Sequence, residues 1–103
     1  MPYTRYAPHQ TVTTPFDALH NAVLLAEFRV ARASEQARRS HFFGDRFENL
    51  YLPETVMPAL SPVLQFARQA AQSHLGLAAL PRLGFWFNEM APGQRTLPHT
   101  HDD

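Results

Sequence analysis

The class of fold turns on one stretch, Gly84-Phe-Trp-Phe-Asn-Glu-Met-Ala-Pro-Gly-Gln-Arg-Thr-Leu-Pro-His-Thr-His-Asp-Asp103. Its first part, Gly84 to Met90, is short and aromatic, the composition of a strand. Ala91-Pro92-Gly93-Gln94 reads as a turn, because proline presets φ at the second position and glycine accepts the positive φ of the third. Arg95 to Asp103 reads as a returning strand. Successive strand side chains point to opposite sides, so Arg95, Leu97, His99, His101 and Asp103 share one face. By the same rule Trp86 and Asn88 lie on one face of the leading strand, with Phe85 and Phe87 on the other. One of these faces is expected to support a metal pocket and the other a layer of helices.

Upstream, the chain reads as helical. Residues 1–13 carry prolines, threonines and tyrosines without an apolar period and read as a loose arm. Thr14-Pro15-Phe16-Asp17 sets a capping hydroxyl before a first-turn proline, predicting a helix from there to about Ser40. Its expected stripe is Phe16, Leu19, Val23, Leu24 and Val30, with Arg32, Arg38 and Arg39 suiting the negative end of the dipole. Asp45 to Leu52 alternates partly and reads as a short strand or an extended linker. A second helix is predicted from Ser61-Pro62 along Val63, Leu64, Ala67, Ala70, Ala71 and Leu75, stopped by Gly76. The expected organisation is an arm (1–13), a helical region (14–83) and a β-hairpin (84–103). The fold class is α+β.

Composition narrows the chemistry. The 103 residues suffice for one small domain and not for two. Nine cationic residues, all arginine, balance nine acids, so charge makes no case for a nucleic-acid or membrane partner. No cysteine is present, which removes disulfides, thiolate nucleophiles and cysteine zinc sites. The absence of lysine excludes Schiff-base and phosphate-loop lysines. No apolar run reaches membrane-spanning length, and Met1 to Gln10 lacks the apolar core of a signal peptide, so the expectation is a soluble, cytoplasmic protein.

The chemically loaded residues are His99, His101 and Asp103. Two imidazoles and a carboxylate on one face are a nitrogen and oxygen donor set for a divalent transition metal, and His-x-Asp supplies two members of a 2-His-1-carboxylate triad. His20 and His74 fall inside predicted helices and read as surface or boundary groups, and His41-Phe42-Phe43 reads as an apolar helix end. The glutamates show no paired spacing for acid–base work, and Arg38-Arg39 reads as a solvated face.

The stretch 84–103 resembles the first metal-binding hairpin of the 2-oxoglutarate and Fe(II)-dependent oxygenases, where an aromatic strand leads through a glycine turn into a His-x-Asp motif. Asp45-Arg-Phe-Glu-Asn-Leu-Tyr51 is similar to a segment found upstream in some bacterial members. The resemblance implies helices packed on the first strands of a double-stranded β-helix, or jelly roll. It also implies ferrous iron, 2-oxoglutarate as co-substrate, O₂ as oxidant, and hydroxylation of a small-molecule or peptide substrate. Carried over by position, His101 and Asp103 are the iron ligands, His99 lies beside them, and Trp86 and Asn88 face the cofactor site. An alternative register gives the metal to His99 and His101. The family's distal histidine and basic carboxylate clamp have no counterpart before Asp103, so the expectation is a leading portion that is inactive alone. Gly93, five residues, His99, one residue and His101 also resemble the opening of the cupin motif, which implies a related barrel and metal. A third reading is a non-enzymatic helical module that pairs with another chain through an open sheet edge.

Overall fold

Asp17, three residues beyond the threonine expected to start the first helix, is where helical geometry begins. Its carboxylate accepts the His20 backbone N–H at 2.9 Å, supplying the partner that a first-turn amide lacks. In the computed structural model, which describes residues 13–96 and 98, the order is α1 (Ala18–Ala31), β1 (Arg38–Phe43), β2 (Arg46–Tyr51), two 3₁₀ turns (Glu54–Val56 and Pro58–Leu60) and α2 (Ser61–Leu75).

The first helix is therefore shorter than predicted at both ends. It closes on a tightened turn, with Ser34 N–H donating to the Ala31 carbonyl at 3.0 Å and its hydroxyl to the same oxygen at 2.7 Å. Arg38 and Arg39, read as a helix end, instead begin β1. The cause lies downstream, in Gly44-Asp45. A two-residue turn with glycine first, here at φ 64°, joins Phe43 to Arg46 and folds the flanking residues into an antiparallel hairpin. The helical region 14–83 thus contains a two-stranded sheet.

The hairpin has two unlike faces. Arg46 and Leu50 of β2 point inward and are buried, while Phe47, Asn49 and Tyr51 point outward, opposite Phe42, Ser40 and Arg38. The second edge of β2 takes Phe87: its N–H donates to the Leu50 carbonyl at 2.8 Å, and Leu50 N–H returns the bond at 2.9 Å. The aromatic segment therefore pairs with the β2 backbone at one residue, and the rest of 84–90 forms no ladder. Its alternation holds: Phe85 and Phe87 are half-buried toward the core, and Trp86 and Asn88 are exposed.

Ala31, Leu50, Leu52, Met57, Leu60 and Leu64 form the core, where α1, β2, the 3₁₀ turns and α2 meet. Leu24 and Phe28 present α1 to it, with Phe28 against Phe87 at 4.9 Å between ring centres. Two polar contacts fix α1 on the second 3₁₀ turn. His20 Nε2 donates to the Ala59 carbonyl at 2.8 Å, and Ala59 N–H donates to Glu27 Oε1 at 2.9 Å. The predicted stripe of α1 needs correction, since Leu19 is 73% and Val30 76% exposed. This helix is apolar on nearly every side, so its periodicity selects no face.

The second helix follows the sequence closely. Proline occupies its first turn, Leu64 is buried, and Gly76 ends it at φ 66° with Leu77 N–H donating back to the Gln72 carbonyl at 3.0 Å. Among the described residues, no helix is long and apolar enough to cross a membrane.

Candidate functional site

The residue that organises the segment around Trp86 and Asn88 is Arg46. It sits on the inner face of β2 and is only 8% exposed, an unusual position for a guanidinium. Its Nη1 donates to Asn88 Oδ1 at 2.6 Å and to the Glu89 carbonyl at 3.3 Å. Its Nη2 donates to Thr96 Oγ1 at 2.9 Å and to the Arg95 carbonyl at 3.4 Å. One planar fork thus holds both arms of the turn. Among the described residues, Glu48 is the carboxylate paired with this charge, 4.0 Å from Nη2.

The turn itself forms as the sequence predicts. Gly93 takes φ 86°, and Gln94 N–H donates to the Ala91 carbonyl at 3.1 Å. The Gln94 side chain ties it outward, accepting from Ala91 N–H at 2.7 Å and donating to Asp45 Oδ1 at 3.1 Å. The hairpin turn at Gly44-Asp45 and the turn at Gly93-Gln94 therefore face each other across a cleft of about 260 Å³ that Arg46 and Arg95 also line. A second cleft, about 320 Å³, lies between α1 and Phe87–Glu89. Its floor is Leu24, Phe28 and Met57, and its rim carries Asn21, Asn88 and Glu89, an apolar base with a few polar groups. Arg32 braces that rim, its Nε donating to Glu89 Oε1 at 2.8 Å.

Of the residues expected to serve a cofactor, Asn88 is engaged by Arg46, and Trp86 stands 48% exposed on the outer side of its segment. His99, His101 and Asp103 lie outside the described residues. Thr96, just before that stretch, is held by Arg46. Among the described residues, no three His, Cys, Asp or Glu side chains gather as a metal-holding group.

A second polar assembly was not anticipated. His41, read as a helix end, lies in β1 at φ 61°, a left-handed conformation that costs a non-glycine residue about 1–2 kcal/mol. In a regular strand His41 points away from Ser40. Here its Nδ1 meets Ser40 Oγ at 2.7 Å and Asn49 Nδ2 at 3.3 Å. Asn49 Nδ2 also donates to the Tyr51 hydroxyl at 2.9 Å, and Ser40 Oγ reaches that hydroxyl at 3.3 Å. Hydrogen bonds from Ser40 and then Asn49 favour the phenolate and bring Tyr51 below its usual ionisation range. Spectrophotometric titration into alkali should show a phenol that ionises early in the wild type, later in Asn49→Ala, and later still in the Ser40→Ala/Asn49→Ala double variant. Identical curves would contradict the assigned contacts. The only signal in the sequence for this group was alternation in β2, which puts Asn49 and Tyr51 on one face.

The structure defines an α+β chain with a buried arginine clamp and an aromatic segment docked on a hairpin. No protein-family model, curated protein or solved structure matches it.

Proposed function

We propose that this chain is the leading portion of a non-haem iron oxygenase of the 2-oxoglutarate-dependent kind. In this reading the helices form a layer against the first strands of a jelly roll, and His99, His101 and Asp103 hold Fe(II). The observation that carries the reading is the Arg46 clamp. It holds Asn88 and Thr96 together across the Gly93 turn, so the stretch bearing the proposed ligands leaves from a fixed point. The donor set fits the metal: imidazole and carboxylate suit ferrous iron and leave positions open for a keto acid. Bound there, the iron supplies oxidation of substrate by O₂ coupled to decarboxylation of 2-oxoglutarate. The chain's own residues orient and enclose. Phe85 and Phe87 seat the segment on the core, Trp86 and Asn88 face outward, and Arg46 fixes the turn. Arg46 itself does not serve as the co-substrate clamp, because both Nη atoms already donate to protein oxygens.

The cupin reading shares the Gly93 turn and differs in assigning the metal to His99 and His101 without 2-oxoglutarate. The test is anaerobic calorimetric titration of the whole chain with Fe(II), with and without 2-oxoglutarate. Fe(II) should bind, tighten when 2-oxoglutarate is added, and weaken by about tenfold or more in His101→Ala. Binding indifferent to 2-oxoglutarate favours the cupin, and binding indifferent to His101→Ala removes the site.

A further inference from the structure

We propose that the outer flank of α1 is a pairing surface for a second copy of this chain, the two helices lying antiparallel about a two-fold axis between Val23 and Ala26. The surface is separate from the stretch 97–103 and does not depend on the function read there.

The first observation is an apolar row that the fold leaves open. Leu24, Phe28 and Ala31 turn α1 toward the core, and Asn21 and Leu25 border the cleft beside Phe87–Glu89. Leu19, Val23, Ala26 and Val30 fall on the remaining flank, within about 60° of one another around the helix axis. All four are exposed, Leu19 and Val30 by 73% and 76%. Exposed apolar side chains scattered singly are ordinary, whereas four in one continuous row mark a contact surface.

The second observation is that this row is complementary to itself. Its steps of four, three and four residues are the seam spacing of paired helices, and they read the same from either end. An antiparallel pair therefore sets Leu19 opposite Val30 and Val23 opposite Ala26, and the two-fold makes each contact twice. At the centre a branched side chain meets a small one, so the helices approach closely. At the far end of the row lies a cleft of about 500 Å³, walled by Ala26, Val30, Ala31 and Val56. The same pairing carries Leu19 of the second copy to the mouth of that cleft. A projecting leucine and an apolar recess thus occupy the two ends of one helix, where a two-fold brings them together.

Charge selects the direction. Asp17 caps the N-terminal end of α1, and Arg29 and Arg32 stand at its C-terminal end. Antiparallel pairing brings the acidic end of each helix to the basic end of the other, whereas parallel pairing sets like charges side by side. Size sets the strength. A helix of 14 residues is about 21 Å long, so the contact falls below the roughly 1,000 Å² of a stable complex. The pair is a reversible dimer with a dissociation constant on the order of 10–100 μM.

The test is sedimentation equilibrium of the whole chain from about 5 to about 500 μM, a range that brackets the expected constant. The wild type should pass from mostly monomer to mostly dimer. Leu19→Glu and Val30→Glu should remain monomeric, and circular dichroism verifies that these exposed positions tolerate the change. The chain has no cysteine, so single introduced thiols report the direction. Under oxidation, Leu19→Cys mixed with Val30→Cys should form a disulfide across the pair, and neither variant should cross-link efficiently with itself. A wild type still monomeric at about 500 μM, as it would be if residues 1–12 of the same chain covered the row, would overturn the proposal. So would a dimer that survives Leu19→Glu, or a Leu19→Cys chain that cross-links with its own kind as readily as with Val30→Cys.

Discussion

Replacing Arg46 with leucine is expected to destabilise the chain by about 2–4 kcal/mol, a large part of the roughly 5–15 kcal/mol that holds such a domain together. The guanidinium is buried, and its two Nη atoms serve Asn88, Glu89, Arg95 and Thr96. Leucine matches its apolar stem and removes every donor. The Glu48 carboxylate is then left half-buried without the cation 4.0 Å away. Lysine at this position keeps the charge, but a compact ammonium on a flexible stem does not span both arms of a turn, so Arg46→Lys recovers only part of the loss. Urea unfolding measures the effect as a shift in midpoint at constant slope. An unchanged midpoint in Arg46→Leu would mean that water satisfies the turn as well as the arginine does.

Met57→Ala should cost a comparable amount, about 2–5 kcal/mol, through a different mechanism. Met57 is 1% exposed and lies between the two 3₁₀ turns, where it packs with Leu50, Leu52, Leu60 and Leu64. Its backbone is fixed as well, with Met57 N–H donating to the Glu54 carbonyl at 3.0 Å and its own carbonyl accepting from Leu60 at 2.9 Å. The neighbours are therefore poorly placed to collapse into the cavity that alanine leaves. Met57→Leu, nearly equal in volume, should cost less than about 1.5 kcal/mol. Equal losses in the two variants would show that chain conformation, rather than cavity formation, governs this position.

The parts of the fold legible in the sequence are those written in local chemistry. Ser61-Pro62 and Gly76 bound α2 because proline and glycine act through their own backbone angles, whatever surrounds them. Pro92-Gly93 specified its turn for the same reason. The residues before Gly44 were misread because arginine, alanine, glutamate and glutamine all favour helix, and only pairing with β2 converts Arg38–Phe43 into a strand. The inward face of α1 was hidden by its even apolarity. Arg46 could not be identified as a clamp because its partners lie 42 to 50 positions away along the chain. His41 was missed because nothing in the sequence requires a positive φ at a histidine.

Amide exchange at Leu50 and Phe87 probes the docking of the aromatic segment on β2 at the backbone bridge between them. Each of these two N–H groups donates to the other residue's carbonyl, at 2.9 and 2.8 Å. If the segment is a fixed part of the fold, both amides should exchange slowly and with the same protection. Both should lose protection together in Arg46→Leu, while the amides in the middle of α2 lose less. A Phe87 amide that exchanges in the wild type as fast as an open peptide would contradict the arrangement, and with it the support for the function proposed above.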